Sequence, residues 1–173
     1  MIKRLYGVLL LIVLATGCSS KPKPDAFPQY DSMDEAMSRY AHQERVQGSI
    51  MQLNLSHDRK LLLTELRDGV YFVGELLERE GKFSIVHLIN GVDINQAAGA
   101  AGAFRTTDGK DYTIRYGKKE ERGLQFVEEL GVSLSVEEGD HVTDRNPQHA
   151  NPNIIVSVQE LWSKGSAVKL DKK

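Results

Sequence analysis

The sequence predicts an α+β domain: one N-terminal helix, then a mainly antiparallel β-meander folded as a sheet or sandwich. Three observations predict it. One segment carries a helical apolar stripe behind a capping box. Most of the remainder alternates apolar with polar residues or runs apolar for a few positions. Short turns separate these stretches, several of them Asp-Gly or Asn-Gly, and such turns cannot make parallel crossovers.

The helix comes first. Ser32 and Glu35 fit a capping box, in which hydroxyl and carboxylate serve orphan amide donors at the first turn. Met33, Ala36, Met37, Tyr40 and Ala41 then fall on one face of a helix that ends near Gly48. Met51, Leu53 and Leu55 alternate with Gln52 and Asn54, which reads as a half-buried strand. Residues 60–66 form an apolar run ending at Asp68-Gly69, a hairpin signal. Strands follow over 70–77 and, after Gly81, over 83–89, the latter closed by Asn90-Gly91.

The stretch from Gln96 to Ala103 is rich in Gly and Ala and reads as tight packing or a flexible connection. Residues 104–107 lead into Asp108-Gly109, and Tyr112, Ile114 and Tyr116 alternate behind it. Lys118-Lys119-Glu120-Glu121-Arg122 mixes both signs and reads as a solvated turn. Strands over 124–129, 132–136 and 154–161 complete the chain, with Trp162, the one tryptophan, expected just beyond the last strand as a cover for the end of the core. The order Asp-Gly, strand, Glu-rich turn, strand occurs twice. Either a three-strand unit is duplicated, dividing 31–173 into 31–95 and 96–173, or two meanders share common turn chemistry.

Ahead of the helix the composition changes. Residues 19–30 hold three prolines, two lysines and little apolar content, the signature of an extended linker reaching about 35 Å. Before that, Lys3 and Arg4 precede an apolar run from Leu5 to Leu14, and Ala15, Thr16 and Gly17 are small. This is an export signal, its apolar run being well short of the roughly 20 residues of a membrane span. The residue after Gly17 is Cys18, the chain's one cysteine.

The stretch Leu14-Ala15-Thr16-Gly17-Cys18 resembles the lipobox of bacterial lipoproteins, with Ala15 at the position where that class favours Leu. The resemblance covers residues 1–20. It implies cleavage between Gly17 and Cys18, and a diacylglyceryl group on the Cys18 sulfur. Two acyl chains make such an attachment stable where one is marginal. The layout of lipobox, spacer, helix and meander is similar to that of small lipoproteins of Gram-positive bacteria. Residues 1–17 are then signal peptide, 18–30 lipidated cysteine and tether, and 31–173 a single globular domain. The implied location is the outer side of the cytoplasmic membrane, or the outer membrane in a Gram-negative host.

Lipidation would consume the only thiol, leaving none for a disulfide, for catalysis or for a metal. Without residues 1–17 the chain keeps 156 residues, enough for a real core, and its formal charge moves from −2 to −4 as Lys3 and Arg4 are lost. That mild acidity argues against nucleic acid as a partner.

The five histidines, His42, His57, His87, His141 and His149, lack the spacing of a zinc motif. There is no nucleophile elbow, phosphate-binding loop or dinucleotide fingerprint. One segment stands out: 138–153 is a long polar loop with two Asn-Pro steps. Asp140, His141, Asp144 and His149 are its candidate contact residues, and no metal or other cofactor is expected there, because the spacing misses the calcium-loop pattern. Two function classes follow. The first is a non-catalytic envelope module binding an envelope protein or cell-wall ligand. The second is an exported enzyme whose site is assembled from dispersed Asp, Glu and His residues.

Overall fold

The computed structural model describes residues 27–95, 99–118, 120, 123–142 and 152–163. The leader, Cys18, most of the spacer, Asp144 and His149 lie outside them. The helix α1 spans Met33–Gln43. Nine strands follow: β1 Ser49–Leu55, β2 Lys60–Arg67, β3 Val70–Arg79, β4 Lys82–Asp93, β5 Gly99–Arg105, β6 Asp111–Gly117, β7 Gln125–Val127, β8 Val132–Glu138 and β9 Ile155–Ser163. They form a five-stranded sheet in the order β4-β3-β2-β1-β9 and a four-stranded sheet in the order β5-β6-β8-β7. Every pairing within them is antiparallel.

The expected helix and antiparallel strands are therefore present, in three layers: α1, the first sheet, the second sheet. The central strands of the first sheet, β1 to β3, are buried on both faces. Met51, Leu53, Leu61, Leu63, Tyr71 and Val73 pack against Ile114, Leu134 and Val136 of the second sheet. Their neighbours Ile50, Leu62 and Phe72 turn the other way, onto Met37, Tyr40 and Ala41 of α1. A strand covered on both sides needs apolar residues at successive positions, which explains the runs in β2 and β3. It also corrects the half-buried reading of β1, where Ile50 through Leu53 are all buried.

The helix is capped as its sequence requires, with the Ser32 Oγ accepting from the Glu35 N–H at 3.2 Å. It ends at Gln43, before the expected Gly48, because Arg45 adopts a left-handed backbone (φ 55°) and turns Val46 into the core. The chain just before the helix is docked. Tyr30 exchanges both backbone hydrogen bonds with Phe83 at 2.9 Å, and the Ser84 hydroxyl donates to the Pro28 carbonyl at 2.8 Å. Lys82 also pairs with Asp31. Residues 28–30, read from the sequence as tether, are thus held along β4.

Four further expectations change. Asn90-Gly91 is no turn; it lies inside β4, where register shifts opposite Tyr71–Gly74 mark a bulge that bends the strand. The small-residue stretch is partly strand: β5 starts at Gly99, and a Cβ on Gly102 would stand 2.6 Å from Ile89 Cδ1, so close packing of β5 on β4 favours glycine. The strand at 124–129 shrinks to β7, because Glu128–Leu130 wind into a 3-10 turn closed by Gly131 (φ 63°). Trp162 lies within β9 and not beyond it, packed against the helix-side core.

The two triplets of the sequence differ in topology. β2, β3 and β4 are successive neighbours, whereas β8 lies between β6 and β7. β9 leaves the second sheet's part of the chain and joins β1 in the first.

Candidate functional site

The long polar loop leaves the second sheet at the end of β8. Its opening is tightly held. The His141 N–H donates to Thr113 Oγ1 at 2.7 Å, Thr113 Oγ1 donates to the Gly139 carbonyl at 2.8 Å, and Arg115 Nη2 donates to the His141 carbonyl at 2.8 Å. The His141 ring approaches the Glu138 carbonyl at 2.8 Å. Asp140 is exposed. At the far end, Asn153 Oδ1 accepts from the N–H groups of Val136 and Ile155 at 3.0 and 3.2 Å. The structure therefore places Asp140 and His141 at the loop's root. It does not show them converging with Asp144 and His149, which lie outside the described residues.

Beside that root is a polar row that the sequence search passed over. In β8, Val132, Leu134 and Val136 face the first sheet. Alternation turns Ser133, Ser135 and Glu137 to the outer face. All three are buried, at 0, 2 and 3 % exposure. Among the described residues Ser133 Oγ, Ser135 Oγ and Glu137 Oε2 have no hydrogen-bond partner. Glu137 Oε1 accepts from Arg115 Nε at 3.3 Å. Arg115 stands opposite Ser135 on β6 and Glu137 opposite Thr113, so this bond runs diagonally between the two strands. Phe126 of β7 stands opposite Ser133 and is 45 % exposed. The strict alternation Val-Ser-Leu-Ser-Val-Glu made the row legible; its burial was not.

A second polar cluster closes one end of the sandwich. Arg59, at the end of the β1–β2 turn, pairs with Glu75 of β3 and, at 2.6 Å, with Asp108 of the β5–β6 turn. The Thr107 N–H donates to Glu75 Oε2 at 2.8 Å, and the guanidinium carbon lies 5.5 Å from the centre of the Tyr112 ring. Burial pushes the Asp108 carboxyl up. Hydrogen bonds from Thr106 and Arg59, with the Arg59 charge, outweigh that and hold it below the usual carboxylate range. The cluster floors an open groove of about 660 Å³. His57 and Asp58 at its rim both have left-handed backbones, with φ 69° and 57°. One guanidinium holds two carboxylates in this floor, so the cluster acts as a clasp on three chain segments.

The remaining histidines are dispersed. His87 stacks on Phe72, with ring centres 4.7 Å apart, and its Nδ1 lies 3.3 Å from Glu44 Oε2. His42 occupies the last turn of α1, where a basic group suits the helix dipole. Among the described residues no three His, Cys, Asp or Glu side chains gather as a metal ion would require. Compared with known proteins, the chain matches no family model, no curated protein and no solved structure.

Proposed function

We propose that the mature chain is a lipid-anchored envelope module that binds rather than catalyses, with the outer face of the second sheet as its contact surface. The leader supports the anchor: a basic start, an apolar run and small residues before Cys18. The single observation that carries the contact surface is the row of three sequestered oxygen-bearing side chains, Ser133, Ser135 and Glu137, lying beside the root of the polar loop. Across from this row Phe126 is 45 % exposed, which gives the same face an apolar contact beside the polar loop. The Arg59 cluster supports binding over proton transfer, since both carboxylates are tied to Arg59 and Asp108 is held ionised at neutral pH.

Two measurements test this reading. Cys18→Ala is expected to shift the protein from the membrane fraction to the soluble fraction, or leave it unprocessed. An unmodified Cys18 in the mature wild-type protein, read by mass spectrometry, would remove the anchor from the proposal. A photo-crosslinking residue in place of Phe126 is expected to capture an envelope component in intact cells. Equal capture by probes on the far side of the molecule, for example at Arg39 of α1, would remove the contact surface.

A further inference from the structure

We propose that the cavity between the end of α1, β4 and residues 27–30 binds a small quaternary ammonium ion, with Glu44 as its counter-charge and Phe27, Tyr30 and Tyr40 as aromatic walls. The site goes beyond the contact surface above. It lies on the helix side of the first sheet, whose other side meets the second sheet. The cavity holds about 270 Å³, below the roughly 300–1,000 Å³ of pockets for drug-sized ligands, so its occupant is small. Its walls are already set. The Pro28 carbonyl accepts from the Ser84 hydroxyl, and Tyr30 pairs with Phe83 through the backbone, which fixes residues 28–30 along β4. The His87 ring, which lines the cavity with Ile85, is stacked on Phe72. The Tyr40 hydroxyl meets Thr64 Oγ1 at 3.2 Å.

Three features of the lining favour a cation. Among the described residues Glu44 is its one carboxylate, and no Lys or Arg lines it. Glu44 is also the C-cap of α1, where the helix carbonyls gather partial negative charge. Three aromatic side chains share the lining, and the face of such a ring attracts a cation, as in the cages that hold methylated ammonium groups. Burial first, and the Glu44 charge with it, push the Tyr40 hydroxyl above its usual range against the Thr64 hydrogen bond. The field of that carboxylate therefore reaches the aromatic wall. A primary ammonium would bring three donors to a site whose one carboxylate already lies 3.3 Å from His87 Nδ1. Methyl groups need no acceptors and pack on the rings and Ile85. An anion would meet both Glu44 and the helix terminus. The charged end is open to a ligand, since the His87 and Glu44 side chains are 33 and 23 % exposed.

The test titrates the full chain, in a maltoside detergent free of ammonium groups, with choline and with dihexanoyl phosphatidylcholine below its micelle concentration. Both carry a trimethylammonium group; the first stands for a free solute and the second for a lipid headgroup. At least one is expected to bind saturably and to shift the amide resonances of Glu44 and His87, while potassium chloride at equal ionic strength does not. Glu44→Gln is expected to weaken binding about tenfold and Phe27→Ala about threefold, with melting temperature little changed. Ethanolamine and glycine betaine are expected to bind more weakly than choline, the first for its donors and the second for its carboxylate. If Glu44→Gln fails to fold, Phe27→Ala and the ethanolamine comparison still decide. No saturable binding by either trimethylammonium probe overturns the proposal. So does binding indifferent to both variants, or ethanolamine binding as tightly as choline.

Discussion

One guanidinium, Arg59, joins the end of the β1–β2 turn to β3 and the β5–β6 turn. Its partner Glu75 has a side chain only 3 % exposed, so Arg59→Ala leaves a buried carboxylate without its cation. Removing one member of such a pair costs about 3–5 kcal/mol, and urea unfolding should show a loss of that order. Asp108 behaves differently because it is 46 % exposed and screened by solvent. Its folded carboxyl ionises more readily than in the unfolded chain. The stability it contributes is present at neutral pH and is lost as pH falls through about 4 and below. The gap between wild type and Asp108→Asn should accordingly narrow over that acid range, measured by denaturation at each pH. None of this was legible in advance. In sequence Arg59 sits among His57, Asp58 and Lys60 as ordinary surface charge, and its partners are 16 and 49 positions away.

The helix and β3 meet at a glycine. A Cβ on Gly74 would stand 2.8 Å from the Tyr40 hydroxyl and 3.2 Å from the Val86 carbonyl oxygen. That hydroxyl lies 3.2 Å from Thr64 Oγ1 inside the helix-side core. Gly74→Ala should therefore destabilise by about 1–3 kcal/mol through overpacking. Adding Tyr40→Phe, which removes the crowding oxygen, should recover part of the loss, a non-additivity that a double-mutant cycle measures directly. The stripe that sends Tyr40 inward was plain from its spacing. Its landing point was not, since a glycine within a strand signals close approach without naming the partner. The same limit explains β4 and β5. Asn90-Gly91 is local turn chemistry overridden by pairing with β3, and from Gly99 the Gly-Ala stretch is a strand made of residues with poor strand propensity.

At the scale of the molecule, β9 decides the architecture. It follows the second sheet in the chain and then pairs with β1 of the first along its length. One core runs between the sheets, from Met51 to Val136, and the partly buried Ile155 and Val158 of β9 pack on it. The two sheets should consequently unfold together. Trp162, the sole tryptophan, reports on β9, so its fluorescence and the far-ultraviolet circular dichroism should follow one urea transition with a common midpoint. Separate midpoints would show that β9 and the helix-side core melt independently.

The sequence by itself determined the helix and its cap, the antiparallel strands, and the Asp-Gly hairpins at Gly69 and Gly109. All of these depend on periods and turn preferences within a few residues of one another, so they are written locally. Only the tertiary structure decided that the central strands of the first sheet are covered on both faces, that β8 lies between β6 and β7, and that β9 returns to β1. It also decided that Ser133, Ser135 and Glu137 are buried beside Arg115, and that Arg59 meets Glu75 and Asp108. Alternation states which side chains share a face. What covers that face, and which distant charge approaches it, depends on packing between segments far apart in the chain.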